Sequence, residues 1–313
     1  MHPAWSVILL TTLIGVGQGL FVALVAVQAL DLVPAGAAFY RTGAALAAAF
    51  LAAGLIASFF HLGRPERAWR SAAMWRTSWL SREVIALPGF IACVAAYGVG
   101  HTLGWPASGP VGTLAIGALG VVLCAALFVC TGMIYACLRF LQEWHSPLTI
   151  VNYLLFGCAS GLMLATAFAA LVEPPLVRAL AAWAAGLTLA ALATRAASLV
   201  RNARLKPKST LQTAIGVKHP RIAQTSQGFM GGSFNTREFF HGASAAFVRS
   251  VKWTFLVAVF PVPLALLAAG LAWQVPALLA AAFLVQYAGL LAERWFFFAQ
   301  ANHPQNLYYQ RIS

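Results

Sequence analysis

Eight apolar runs, each long enough to cross a bilayer as a helix, occupy most of this 313-residue chain, and only 9% of its residues are charged. A crossing takes about 20 consecutive apolar residues, whereas a soluble domain carries about 25% charged residues to cover its surface. The runs predict helices over roughly 5–30, 36–62, 82–104, 111–138, 147–172, 175–200, 247–271 and 273–297. The expected fold is therefore all-α: a polytopic integral membrane protein with eight transmembrane helices, 1–313 forming a single membrane domain. Proline and polar residues mark the connections, as at Val33-Pro34, Trp105-Pro106, Ser146-Pro147 and Glu173-Pro174-Pro175, because lipid cannot satisfy irregular backbone. The first run, Trp5 to Leu30, outlasts the roughly 7–15-residue apolar region of a signal peptide and has neither a basic start nor a small-x-small cleavage site. It reads as the first membrane helix. Gly15 and Gly19, four apart within it, favour close helix–helix approach.

Charge assigns the sides. Eight spans put both termini on one side, and on that side fall 18 of the 20 Lys and Arg residues; only Arg41 and Arg178 fall on the other. Positive loops stay in the cytoplasm, so both termini are expected there. The net charge of +13 follows from the scarcity of acids, seven in all, and from these basic loops. It gives no reason to invoke nucleic acid; membrane lipid is the expected surrounding. The 201–246 loop holds Arg201, Arg204, Lys206, Lys208, Lys218 and Arg221. Loops of this length are usually functional or disordered, and docking of a partner is preferred here over a merely solvated loop. Gly228, Gly231 and Gly232 lie within it, but no G-K-[ST] follows, so a phosphate loop is unsupported.

Few residues are left for chemistry. Cys93, Cys124, Cys130, Cys137 and Cys158 lie in apolar stretches without a C-x-x-C pair, so no cluster is expected in this chain. His2, His61, His101, His145, His219, His241 and His303 map to span ends or loops. A membrane haem needs histidines facing each other inside helices, and none is expected. An acid in a membrane helix is a functional hypothesis by default. Glu83 opens the third span and Glu293 ends the last beside Arg294. Each also has a plain reading: Glu83 as a first-turn acid with Ser81 as N-cap, Glu293 as half of a local ion pair. His61 ends the second span before Gly63, which suits a helix stop, and Pro65, which forbids continuation; it reads either as a boundary residue or as a proton carrier. His61 and Glu83 bracket one short connection at one depth. A site that moves protons to or from a quinone needs such groups beside an apolar pocket. Tyr135, Arg139 and Gln142 reach the same face from the fourth span.

The run His61-Leu62-Gly63-Arg64-Pro65-Glu66-Arg67-Ala68, then Ser78-Trp79-Leu80-Ser81-Arg82-Glu83, and a last span with Gly289-Leu290-Leu291-Ala292-Glu293-Arg294 before aromatic residues, resemble the membrane-anchor subunit of dimethyl sulfoxide reductase-type molybdoenzymes. The resemblance implies a bacterial inner-membrane, three-subunit oxidoreductase in which this chain holds no catalytic centre. A catalytic subunit would carry a molybdenum bis-pyranopterin, and a ferredoxin-like subunit four iron–sulfur clusters. The anchor would exchange electrons with ubiquinone or menaquinone. In the family a histidine and a glutamate matching His61 and Glu83 are linked to quinol binding. The candidate quinone residues are thus His61, Gly63, Arg64, Ser81, Glu83, Tyr135 and Arg139. The signature loop on the Arg-rich cytoplasmic side and the long 201–246 insertion resemble the anchor of the cytoplasm-facing sulfite-oxidising complex, which passes electrons from sulfite to quinone. A quinol-oxidising anchor of a dimethyl sulfoxide or polysulfide reductase is the alternative within the family. A transporter is the alternative outside it, weakened by spans that read as unbroken Ala and Leu.

Overall fold

The computed structural model of the protein describes residues 1–31, 35–104, 110–225 and 238–308. Val33-Pro34, Trp105-Pro106, Gly228, Gly231 and Gly232 lie outside the described residues. The protein is an all-helical bundle with eight candidate membrane-spanning helices and no strand among the described residues. Its elements are α1 (Trp5–Leu30), α2 (Ala37–Phe59), a 3-10 turn (Pro65–Ala72), α3 (Trp79–Leu103), α4 (Pro110–Ala136), α5 (Pro147–Val172), α6 (Val177–Ala203), a short α7 (Leu211–Ile215), α8 (Ala245–Val259), α9 (Pro261–Trp273) and α10 (Pro276–Ala299). Together α8 and α9 make the seventh span.

α1 and α5 form the centre. The four glycines Gly15, Gly19, Gly157 and Gly161 bring their backbones into contact, as small residues do where lipid supplies no hydrophobic drive between helices. α2 seats on the opposite face of α1, with Leu51 over Gly17 and Leu24 over Gly43. The outer faces carry exposed Leu119, Val122, Leu171, Leu189 and Leu284, the surface that lipid covers. Trp5, Trp69, Trp75, Trp253 and Trp273 are exposed nearer the span ends, where amphipathic rings settle at the lipid–water boundary.

Local sequence shifts several boundaries from their expected places. α2 stops at Phe59, so His61 and Leu62 stand in the following turn. α3 starts three residues early: Ser78, not Ser81, is the N-cap, its hydroxyl accepting from the Ser81 N–H at 3.3 Å. That places Glu83 in the second turn. α4 ends at Ala136, leaving Arg139 and Gln142 in the next connection.

The seventh span is not the unbroken run expected. It breaks at Phe260, where Pro261 and Pro263 follow. Proline lacks the N–H that would bond four residues back, and Pro263 leaves the Val259 carbonyl without its helical donor. Gln286 of α10 donates to that carbonyl at 3.3 Å and to the Thr188 hydroxyl at 3.2 Å. The Val259 carbonyl is thus satisfied by protein, and the break packs against Phe156.

The loops of one side knit together. The Met1 amine donates to the Ala301 carbonyl at 2.8 Å, and the His2 N–H to Glu238 at 2.8 Å. Arg201 reaches the Gln142 and His145 carbonyls at 3.1 and 2.9 Å. Burial beside Ala301 pushes the Met1 amine pKa down to about 6. Among the described residues the N-terminus, the connection after α4, the end of α6 and the segment after α10 therefore share one face of the bundle.

Candidate functional site

One to two turns inside that face, five polar side chains meet within the membrane span. At 1.5 Å per residue, Glu83 lies about 6 Å past the start of α3, and Glu293 about 9 Å before the end of α10. Glu83 points into the bundle, where the Thr131 hydroxyl of α4 donates to its carboxylate. Glu293 forms ion pairs with Arg195 of α6 at 2.8 Å and with its neighbour Arg294 at 3.2 Å. These three are nearly sealed: Arg195 and Glu293 are 1% exposed and Arg294 4%.

Aromatic rings surround the ions. The Arg294 guanidinium lies 3.8 Å from the Tyr153 ring centroid, with the Phe297 ring at 5.3 Å. Arg195 lies 5.5 Å from Phe255 and 5.9 Å from Phe296. A ring face attracts a cation, most strongly where water is absent. The rings thus offset part of the desolvation of two arginines.

A narrow cleft connects the two parts. Glu83 and Thr131 form one wall, Arg294 and Tyr153 another, with Thr12 and Phe128 beside them. Its volume, about 20 Å³, holds roughly one water-sized group. Gly15 and Gly157, from the α1–α5 crossing, also line it. The Tyr153 hydroxyl is buried with no hydrogen bond of regular geometry.

The sequence-predicted residues divide. Glu83 reaches the cleft. Tyr135 packs one layer behind it, stacked on Tyr153 at 5.6 Å and edge-on to Trp144 and Phe298. Ser81 is buried at the α3 start and contributes its N–H to the Ser78 cap. His61, Gly63, Arg64 and Arg139 are on the loop side and line no part of the cleft. The burial His61 does have keeps its imidazole pKa below the usual value, so it is neutral and able to accept a proton at pH 7. Arg82 organises the rim, donating to the Trp75 and Arg76 carbonyls at 2.9 and 2.8 Å and stacking on Trp79 at 4.2 Å.

Sequence reading missed Thr131, Tyr153 and Arg195. Arg195 is one of the 18 cations that the count by side assigns to the loop face, yet it is a buried ion-pair partner. Its position inside an apolar run was the available signal, since an intramembrane cation needs a partner. Among the described residues no three His, Cys, Asp or Glu side chains converge as a metal site.

Residues 1–300 match the family model described as DMSO reductase anchor subunit (DmsC). The chain is also 56% identical to a protein of Allochromatium vinosum named as a sulfite dehydrogenase subunit, over 327 aligned positions that take in the whole of both chains. With eight spans and a family match over nearly its full length, the chain belongs to the DMSO reductase anchor subunit family.

Proposed function

We propose that this chain is the quinone-reactive anchor of a sulfite-oxidising molybdoenzyme, passing electrons that leave sulfite in the cytoplasm to the quinone pool. The observation that carries the quinone reading is Glu83: a carboxyl inside the span, hydrogen-bonded by Thr131, at a cleft whose other wall is cationic. Such a group has no structural need to sit in the bilayer, and proton exchange with a quinone gives it one. His61, neutral and exposed on the loop side, is placed to relay protons between water and that region. Kinship with a protein named as a sulfite dehydrogenase subunit supports sulfite as the donor.

The partners, a four-cluster iron–sulfur subunit and a molybdopterin catalytic subunit, dock on the face where both termini and the basic loops lie. The 201–246 loop and the exposed Arg64, Arg67, Arg70 and Arg76 offer them a cationic surface. The membrane is the bacterial inner membrane, with this face cytoplasmic, as the excess of Lys and Arg supports.

Two measurements test the reading. Glu83→Gln and His61→Ala in the purified complex are each expected to lower the ratio of quinone-linked to artificial-acceptor sulfite oxidation, Glu83→Gln by about 100-fold, the lower range for loss of a positioned proton carrier. A parallel fall of both activities would mean that these residues only hold the complex together. Paired reporters fused at each terminus are expected to show the cytoplasmic signature. The periplasmic signature at both ends would instead favour a reductase of S-oxides with its catalytic partners outside.

A further inference from the structure

The buried charges around the cleft do not cancel among themselves. Arg195, Glu293 and Arg294 together leave one positive charge, in groups at most 4% exposed. An uncompensated charge in a low-dielectric interior is strongly unfavourable. Aromatic faces offset part of it, and Glu83, an acid lining the same cleft, is the group whose protonation changes the net charge there. With Glu83 ionised the four groups are neutral. With a proton on Glu83 the cleft is left cationic.

Size and unmet bonding capacity say what enters. The cleft of about 20 Å³ admits a single oxygen-sized group and excludes a ring. Tyr153, 5% exposed and part of the lining, has a buried hydroxyl without a regular partner. Its neighbours Arg294 and Tyr135 lie close to that hydroxyl without completing a regular bond, which leaves it capacity to bond a ligand oxygen. The cleft is otherwise bounded by apolar residues, among them Leu10, Ile14 and Phe128, against which a flat ring and an isoprenoid tail can lie.

We propose that Arg294 and Tyr153 bind one oxygen of the quinone from the side opposite Glu83 and Thr131, with the ring held outside the cleft on its apolar rim. This rests on the quinone reading of the site. Two electrons come from the redox centre of the partner subunit. Protonated Glu83 leaves the cleft cationic, which favours negative charge on the oxygen held by Arg294. Glu83 then gives its proton to that oxygen, and its carboxylate restores neutrality. A second proton, from the aqueous loop side, completes the quinol at the other ring oxygen. Arg294 moves no proton; it steadies the oxygen while charge is on it.

The test uses the purified complex with its partners and titrates short-chain ubiquinone and menaquinone analogues against Arg294→Lys, Tyr153→Phe and Glu83→Gln. Arg294→Lys keeps the charge that Glu293 needs but loses the planar fork. It is expected to raise the quinone KM about 10-fold or more, the effect of losing a hydrogen bond to a charged group. Tyr153→Phe removes only a hydroxyl without a regular protein partner, and is expected to raise the quinone KM about 5-fold with no loss of assembly. Parent KM values for both variants, with Glu83→Gln impaired, would overturn the proposal and leave the quinone reading standing. Parent quinone kinetics in Glu83→Gln as well would bring down the quinone reading itself. If Arg294→Lys does not assemble, Tyr153→Phe decides, because it keeps the ring that stacks on Tyr135 and lies against the Arg294 guanidinium.

Discussion

Replacing Glu293 by alanine is expected to destabilise the chain by about 3–5 kcal/mol, the usual result of removing one partner from a buried ion pair. The reason is what remains. Arg195 and Arg294 would face each other across the space that Glu293 filled, each almost completely sealed from water. Neither can reach solvent: Arg195 lies about 12 Å inside the end of α6 at 1.5 Å per residue, and the Phe255 and Phe296 rings flank it. Rings attract a cation but do not neutralise it. Thermal unfolding in detergent, followed by tryptophan fluorescence, is the measurement. Glu66→Ala is the control, because its contact with Arg67 is 3.8 Å long and open to water on both sides; exposed pairs contribute little, and no shift is expected. If Glu293→Ala unfolded at the temperature of the parent protein, the triad would contribute nothing to the fold.

The contrast between these two glutamates and Glu83 shows where sequence reading stops. Hydropathy alone locates the spans, since lipid permits little besides helices of that length. It locates Glu83 too, because an acid at a span's edge stands out against Ala and Leu. It does not tell a helix-end acid that caps from one that turns inward. Ser81 has the chemistry of a cap, but the backbone begins its helix at Trp79, and the early start carries Glu83 into the second turn and into the bundle. His61 and Glu83 share a side, as their spacing implies, but only Glu83 lines the cleft. Arg195 and Glu293 pair across most of a hundred positions of sequence, and no local pattern carries that information. Counting charge by side groups Arg195 with the loop-side cations and conceals that it is buried. Hydropathy runs the seventh span straight through Pro261 and Pro263, and both the break and its repair by Gln286 become visible only in the folded bundle.

The second large effect is expected at the α1–α5 crossing. A Cβ on Gly161 would fall inside the backbone of Gly19 and Leu20, and one on Gly19 would lie 2.9 Å from the Cys158 Cα as well as against the Gly157 carbonyl. A clash with the tip of a side chain is relieved by a rotamer change. A clash with backbone is relieved only by parting the helices, and these two are the centre on which the others pack. Gly161→Val is therefore expected to cost about 3 kcal/mol or more, at or above the upper end for overpacked cores, and to lower both the yield of folded protein and its unfolding temperature. Gly63→Ala is the matched control: nothing lies within 4 Å of a Cβ there, so no change is expected. A Gly161→Val protein as stable as its parent would mean that the crossing can open without loss. The same substitution should also reach the site, since Gly15 and Gly157 form part of the cleft wall that faces Glu83 and Arg294. A cleft the size of one oxygen tolerates little displacement of its walls. Any Gly161→Val complex that does assemble should lose quinone turnover before it loses artificial-acceptor turnover, because the partner's catalytic centre does not depend on how closely α1 and α5 meet.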